Sequence, residues 1–316
     1  MRIIFMGTPE FALPSLEAIY NSGHELIAVV TQPDRPKGRG KRLTPPPVKS
    51  WALERNIAVY QPLKIRNNNI FIEEIKKLNP YLVVTAAFGQ ILPKEFLEIP
   101  ALGCINVHSS LLPEYRGASP IQQALIDGKE KTGITIIYMD EGMDTGDIIL
   151  QKEIDIQPSE NAGQLHDRLA DLGAELLTEA ISLFEKGKPK GIPQNHDKAT
   201  YCRKIDKSLG QINWADTAYK IKNLIRGLTP WPGCFTFIHG KRLKVWKVYE
   251  REYFTNEKTL PGTVLRADET NGLLVACGKG VLRLEQLQGE GGKVMSDLEF
   301  LRGNKVTAGI RLGKTE

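Results

Sequence analysis

At 316 residues, with 41% hydrophobic and 25% charged residues, the chain is too long for one ordinary domain and too apolar for a disordered one, so two domains of unequal size are expected. No apolar run approaches the roughly 18 residues of a membrane helix, and the opening MRIIFMG lacks the parts of a signal peptide, so a cytoplasmic protein is expected. The net charge of +5 is unevenly placed: residues 201–316 carry twenty Lys and Arg against twelve Asp and Glu, and the otherwise acidic first 200 residues hold a basic stretch at 31–50 with six basic residues and one acid.

In chain order, RIIFM (2–6) reads as a buried strand, GTPEF turns into a helix reaching about Asn21, and ELIAVVT (25–31) is a second strand. The basic stretch TQPDRPKGRGKRLTPPPVKS reads as a long, exposed, mobile loop on its Pro and Gly content. Helix-like VKSWALER, strand-like IAVYQ, helix-like IFIEEIKKL (70–78) and strand-like YLVVTAA (81–87) continue the alternation, which implies a doubly wound, Rossmann-like, mainly parallel sheet. TGITIIYM and DIILQKEIDI add two strands, and 160–185 is a long amphipathic helix in which His166 is structural. The first domain is expected over 1–187. A Lys-, Gly- and Pro-rich linker follows over 188–204. Residues 205–316 carry a helix and then short strands divided by Gly and Pro turns, the texture of a small, basic, OB-like β-barrel. Trp231, Trp246 and Phe235 fit either its core or a stacking surface.

The run GCINVH places Asn106 and His108 two apart, so both project to one face at the end of a strand. The turn MDEGMDTGD supplies Asp144. An amide donor, an imidazole and a carboxylate form an acyl-transfer set: the amide holds an oxyanion, and the other two move protons. Alone, neither the Asn nor the His would carry this reading. The loop SSLLPEYRGASP after them, with Arg116 and Gly117, lies where open α/β sheets bind ligands. The first turn, GTPEFALPSL, lacks GxGxxG, and GxxxxGK[ST] occurs nowhere, so no nucleotide cofactor is expected. The acids Asp140, Glu141, Asp144 and Asp147 miss the calcium-loop spacing, since Gln151 stands where a bidentate Glu belongs. Cys104, Cys202, Cys234 and Cys277 form no CxxC pair, and no metal is expected.

FMGTPEFALPSL, TQPDRPKGRGKRL, AAFGQILP, GCINVHSSLLPEYRGASPIQQAL and MDEGMDTGDI, in this order and followed by a basic β-rich tail with a WPG element, resemble the methionyl-tRNA formyltransferase family along nearly the whole chain. The resemblance implies formyl transfer from 10-formyltetrahydrofolate to the methionine of initiator methionyl-tRNA, with Asn106, His108 and Asp144 catalytic and Asp144 orienting His108. It further implies a folate donor along Ser110, Leu111, Leu112 and Pro113, its pterin near Phe88, Gly89, Gln90, Ile91 and Leu92, with Asp140 in the same binding set. The basic stretch resembles an insertion that enters the tRNA acceptor arm through Arg35, Lys37, Arg39, Lys41 and Arg42, Arg39 reaching furthest. The second domain would give sequence-independent phosphate contacts, and the enzyme would be a monomer. Three other readings stay open on the residues alone: a formyltransferase for a small amine such as a nucleotide sugar, a formyl-folate hydrolase, and a noncatalytic tRNA-binding protein.

Overall fold

Strands built from continuous Val, Ile and Leu runs need cover on both faces, and that requirement shapes the first part of the computed structural model, which describes residues 1–37, 40, 42–253 and 259–313, Lys37 in its backbone only. The chain divides into two units, one of Met1–Pro120, Lys131–Asp155 and His166–Arg203, the other of Ile121–Glu130, Ile156–Leu165 and Lys204–Glu316.

The strands of the first unit are β1 (Arg2–Gly7), β2 (Glu25–Val30), β3 (Arg35–Lys37), β4 (Arg42–Thr44), β5 (Val59–Tyr60), β6 (Leu82–Ala86), β7 (Cys104–His108), β8 (Arg116–Gly117), β9 (Lys131–Tyr138), β10 (Ile148–Asp155) and β11 (Tyr201–Cys202). Seven of them form one sheet in the order β10-β9-β7-β6-β1-β2-β5. The pairs from β5 to β7 are parallel, and β9 and β10 run antiparallel at one edge. The chain leaves β1 toward β2 on one side and returns to β6 on the other. Such a reversal opens a crevice at the carboxyl ends of the strands.

The helix Asn69–Leu78 shows how sequence sets these elements. Asn68 caps it, its side chain accepting from the Phe71 amide at 3.1 Å, and Asn79 ends it in the left-handed conformation at φ 46°. Its buried face of Phe71, Ile72 and Ile75 packs with Ile4, Val30, Phe88, Leu92 and Phe96, each such side chain contributing about 1.5–3 kcal/mol of apolar burial.

Two parts of this unit differ from the sequence-based expectation. The basic stretch holds an antiparallel hairpin, Arg35 opposite Thr44 and Lys37 opposite Arg42. Asp34 staples its base, accepting from Lys49 at 2.8 Å and from Gln61 at 2.8 Å, and these donors hold its carboxyl below the usual carboxylate range. The stretch expected as a linker is folded as far as Arg203: Ile192 bridges Ile148, and β11 pairs with β8 in parallel. Its lack of periodicity reflects hydrogen bonding to distant segments.

The second unit carries β12 (Cys234–Ile238), β13 (Lys241–Arg251), β14 (Val264–Asp268), β15 (Gly272–Ala276), β16 (Val281–Gln288) and β17 (Met295–Ser296) in an antiparallel sheet ordered β12-β13-β16-β15-β14, with β17 on β16. Residues 309–313 cover both outer strands: Gly313 N–H donates to the Phe237 carbonyl at 2.9 Å, and Val264 N–H to that of Ile310 at 2.8 Å. The edges are thereby closed, as the barrel expectation requires. Trp214, Ile221, Leu243, Val275 and Leu284 lie in the core. No helix among the described residues is long and apolar enough to cross a membrane.

Ile4 is fully buried in the central strand β1. Ile4→Ala is expected to destabilise the first unit by about 2–5 kcal/mol, read as a lower urea midpoint by intrinsic fluorescence.

Candidate active site

The site is assembled at the carboxyl ends of β6 and β7, which lie side by side with Thr85 opposite Asn106. Thr85 is buried, and its hydroxyl donates to Asn106 Oδ1 at 2.7 Å. On the other side, Asn106 Nδ2 faces Asp144 Oδ1 at 3.5 Å. A carboxylate only accepts, so the amide nitrogen must turn toward Asp144 and the oxygen toward Thr85. One N–H of the amide is thereby aimed at the carboxylate, and the second projects elsewhere.

His108 is buried, with Nε2 at 3.0 Å from the Tyr115 carbonyl and Nδ1 at 3.6 Å from Asp144 Oδ1. A carbonyl also only accepts. Nε2 therefore carries a hydrogen, and Nδ1 is the ring nitrogen on the Asp144 side. The tautomer is set by Tyr115, whereas the sequence led us to expect Asp144 in that role. At 3.6 Å the His–Asp contact exceeds hydrogen-bond length. Asp144 is held instead by the Gly117 amide, which donates to Oδ2 at 2.8 Å. Asn106 and His108 thus share a face, as their spacing predicts, and both meet the same carboxylate oxygen.

Asp144, at φ 54°, and Tyr115, at φ 58°, adopt left-handed backbone that side chains other than Gly rarely take. The loop 110–117 is correspondingly well held. Thr135 donates to the Ser110 carbonyl at 2.6 Å and accepts from the Leu112 amide, Gln151 donates to the Leu112 carbonyl, and Ser110 Oγ donates to the Glu114 carbonyl. The Tyr115 amide donates to Thr200 Oγ1 at 2.8 Å. Gly117 allows β8 to lie against β11; a Cβ there would collide with the Cys202 carbonyl.

The other sequence-selected residues take various places. Phe88 and Leu92 are buried, while Ile91 is 63% exposed. The Phe88 carbonyl accepts from Thr8 and Gln32, and Gln90 spends its amide on the backbone of Pro62 and Ile65. Leu112 is buried, with Leu111 and Pro113 half-buried beside it. Asp140 is exposed and caps its own turn, accepting from Gly142 N–H and Thr145 Oγ1. Arg35 and Arg42 are exposed on the hairpin; Arg39 and Lys41, and the side chain of Lys37, lie outside the described residues. The sequence marks the loop that holds Tyr115 and Gly117 but not their roles, because both act through backbone atoms, which leave no residue-type pattern, and Thr85 is legible only as the register partner of Asn106.

The second unit bears a separate feature. Phe235 and Phe237 alternate outward on β12, and Arg242 lies over Phe235 at 3.7 Å, Lys244 over Trp246 at 5.4 Å, and Lys247 over Tyr249 at 4.9 Å. Phe235 and Trp246 are half-buried on this outer face, and Trp231 is 52% exposed. The barrel's buried Trp is Trp214, its indole N–H donating to Thr236 at 2.9 Å.

All four cysteines are buried free thiols. Burial raises the Cys104 thiol and pushes Cys234 and Cys277 up to about 12. At pH 8 the folded protein is expected to leave an aromatic disulfide reagent almost unreacted, with four thiols released on unfolding; rapid native labelling would contradict this burial.

Residues 1–181 match a family model described as "Formyl transferase", and residues 204–305 one described as "Formyl transferase, C-terminal domain". A methionyl-tRNA formyltransferase of Acetivibrio thermocellus is 49% identical over 316 residues, covering 99% of this chain and 100% of that protein. One of Caldanaerobacter subterraneus subsp. tengcongensis is 48% identical over 312 residues, again 99% of this chain and 100% of the other. Among solved structures, an N-formyltransferase from Helicobacter canadensis in complex with folinic acid and dTDP-3-aminofucose has the same fold, with TM-score 0.66 and 19% identity, covering 91% of this chain and 98% of that one.

Proposed function

The chain belongs to the methionyl-tRNA formyltransferases of the formyl transferase family, and on that premise we propose how its residues divide the reaction. It transfers a formyl group from 10-formyltetrahydrofolate to the α-amino group of the methionine on initiator methionyl-tRNA. The observation that carries the assignment of roles is the convergence of Asn106 Nδ2, at 3.5 Å, and His108 Nδ1, at 3.6 Å, on Asp144 Oδ1.

The bound donor supplies a formyl carbonyl on nitrogen, whose oxygen gains negative charge as the amine attacks the carbon. Asn106, locked by Thr85, offers its second N–H to that oxygen, a donor aimed before the charge develops. His108, its Nε2–H tied to Tyr115, donates from Nδ1 to the same oxygen when the ring carries a second proton, and so relays a proton there. Asp144 Oδ1 accepts the proton that the amine sheds on forming the new C–N bond, and that proton returns to the folate nitrogen as the old bond breaks. Burial favours the arrangement, because few waters compete with it.

The donor is held by Phe88 to Leu92 and Ser110 to Pro113. Since Ser110 and Asp140 already bond within their own loops, they shape the backbone around the donor. On the tRNA, Arg35, Lys37, Arg39, Lys41 and Arg42 act on the acceptor arm, and Arg242 and Lys244, laid over Phe235 and Trp246, neutralise phosphates. The enzyme is a cytoplasmic monomer.

Isotopically labelled 10-formyltetrahydrofolate, incubated with charged initiator tRNA, free methionine, an amino sugar or water alone, tests the acceptor: label is expected on the tRNA only. His108→Ala and Asp144→Asn are each expected to cut turnover by about two to four powers of ten with tRNA affinity unchanged. Full turnover in Asp144→Asn would remove the proton role. Arg242→Ala with Lys244→Ala should weaken tRNA binding and flatten the plot of log affinity against log salt by about 0.7–0.9 for each phosphate that the variant no longer neutralises. An unaltered slope takes this face out of the interface.

A further inference from the structure

Arg116 is an unusual residue to find at 1% exposure. Among the described residues its acceptors are all neutral: Gln194 Oε1 receives Nε at 3.2 Å and Nη2 at 2.7 Å, His196 Nδ1 receives Nη2 at 3.2 Å, and the Tyr201 hydroxyl receives Nη1 at 3.2 Å. A buried cation without a carboxylate beside it is costly to keep, and it persists only where several good hydrogen bonds offset the lost hydration. The bonds here come from one short segment, 194–201.

Arg116 stands between the two backbone groups that hold the reacting side chains. The residue before it, Tyr115, gives its carbonyl to His108, and the residue after it, Gly117, gives its amide to Asp144. The same Gln194 that grips the guanidinium with its oxygen uses its nitrogen on the Asp144 turn, donating to the Asp144 carbonyl at 2.9 Å and the Gly146 carbonyl at 2.7 Å. One buried amide therefore ties the loop that orients His108 to the turn that carries Asp144. Both tied points sit beside left-handed residues, Tyr115 at φ 58° and Asp144 at φ 54°, a conformation that lasts only where its surroundings over-determine it.

We propose that Gln194 is a positioning residue for formyl transfer: its amide bridges the Arg116 guanidinium to the backbone of Asp144 and Gly146, and thereby fixes Asp144 against His108 and Asn106. This rests on the catalytic roles assigned above to those three residues. Gln194 itself touches none of the reacting atoms. Packing alone asks only for volume at position 194. Positioning asks for an acceptor facing Arg116 and a donor facing the turn at the same time.

Two substitutions separate these demands. Gln194→Glu keeps an acceptor for Arg116 and removes the donor to the turn, whereas Gln194→Met keeps the volume and removes both. In the full-length enzyme, with Asp144→Asn measured alongside, both variants are expected to lose kcat by roughly 10- to 100-fold while KM for the formyl donor and for charged tRNA stays within about twofold. The pH profile of kcat in Gln194→Met is expected to shift in the same direction as in Asp144→Asn. Should Gln194→Met fail to fold, Gln194→Glu carries the same readings. Normal kcat in the Gln194 variants beside an impaired Asp144→Asn overturns the proposal, as does a fall in kcat with an unmoved pH profile, which is the mark of structural damage only. Full turnover in Asp144→Asn locates the error in the assignment of Asp144, and the positioning role falls with it.

Discussion

The placement of His108 and Asp144 depends on three consecutive residues, Tyr115 to Gly117, making backbone hydrogen bonds in two directions at once. The Tyr115 carbonyl takes the Nε2 hydrogen of His108, and the Gly117 amide donates to Asp144 Oδ2. A carbonyl and an amide two residues apart point to these partners only if Tyr115 adopts positive φ and Gly117, at φ 112°, turns the chain further. A residue in such a conformation costs on the order of 1–3 kcal/mol and must be held. Thr135 fixes the loop on one side, and on the other Thr200 and the pairing of β8 with β11 fix it, so the strain is borne by segments that take no part in the reaction.

Because Tyr115 sets the tautomer of His108, Asp144 is not consumed in doing so. In many Asp–His pairs the carboxylate accepts the imidazole N–H and serves as an orienting group. Here the 3.6 Å separation leaves Oδ1 facing Asn106 and His108 without a full hydrogen bond to either. On the roles proposed above, that oxygen keeps its capacity to take a proton from an attacking amine. The orienting work falls to a backbone carbonyl, which does not titrate and so holds the ring in one tautomer whatever the protonation of the carboxylate.

The sequence showed the parts of this site that have a local pattern. Asn106 and His108 are two apart in a strand, so their common face follows from the period of two, and the continuous apolar runs around them imply a sheet covered on both sides. What holds those two side chains has no such period. Thr85 is recognisable only once the β6–β7 register is known, and Gln194 lies in a Pro- and Gly-rich stretch whose composition reads as a linker. Division into units was hidden for a similar reason: residues 121–130 and 156–165 belong to the second unit, although their helical and turn patterns match those of their neighbours in the first. The basic stretch was legible as exposed and charged, but its hairpin depends on Asp34, Lys49 and Gln61 meeting at the base, a contact between residues far apart in sequence.

The charge split gains a sharper meaning from where the aromatics lie. A guanidinium laid on Phe235 at 3.7 Å and an ammonium group over Trp246 are held against apolar surface, so they lose less side-chain entropy on meeting a polyanion than freely rotating cations would. In the proposed role, such a face gives affinity and electrostatic steering. Phosphates are spaced alike on every tRNA, however, so it cannot select one tRNA from another. On the reading proposed above, selection must come from groups that meet something other than phosphate, and the candidates are the hairpin of β3 and β4 and the residues around Asp144 in the first unit. On that same reading the basic half binds, and the acidic half with its one basic stretch both chooses and reacts.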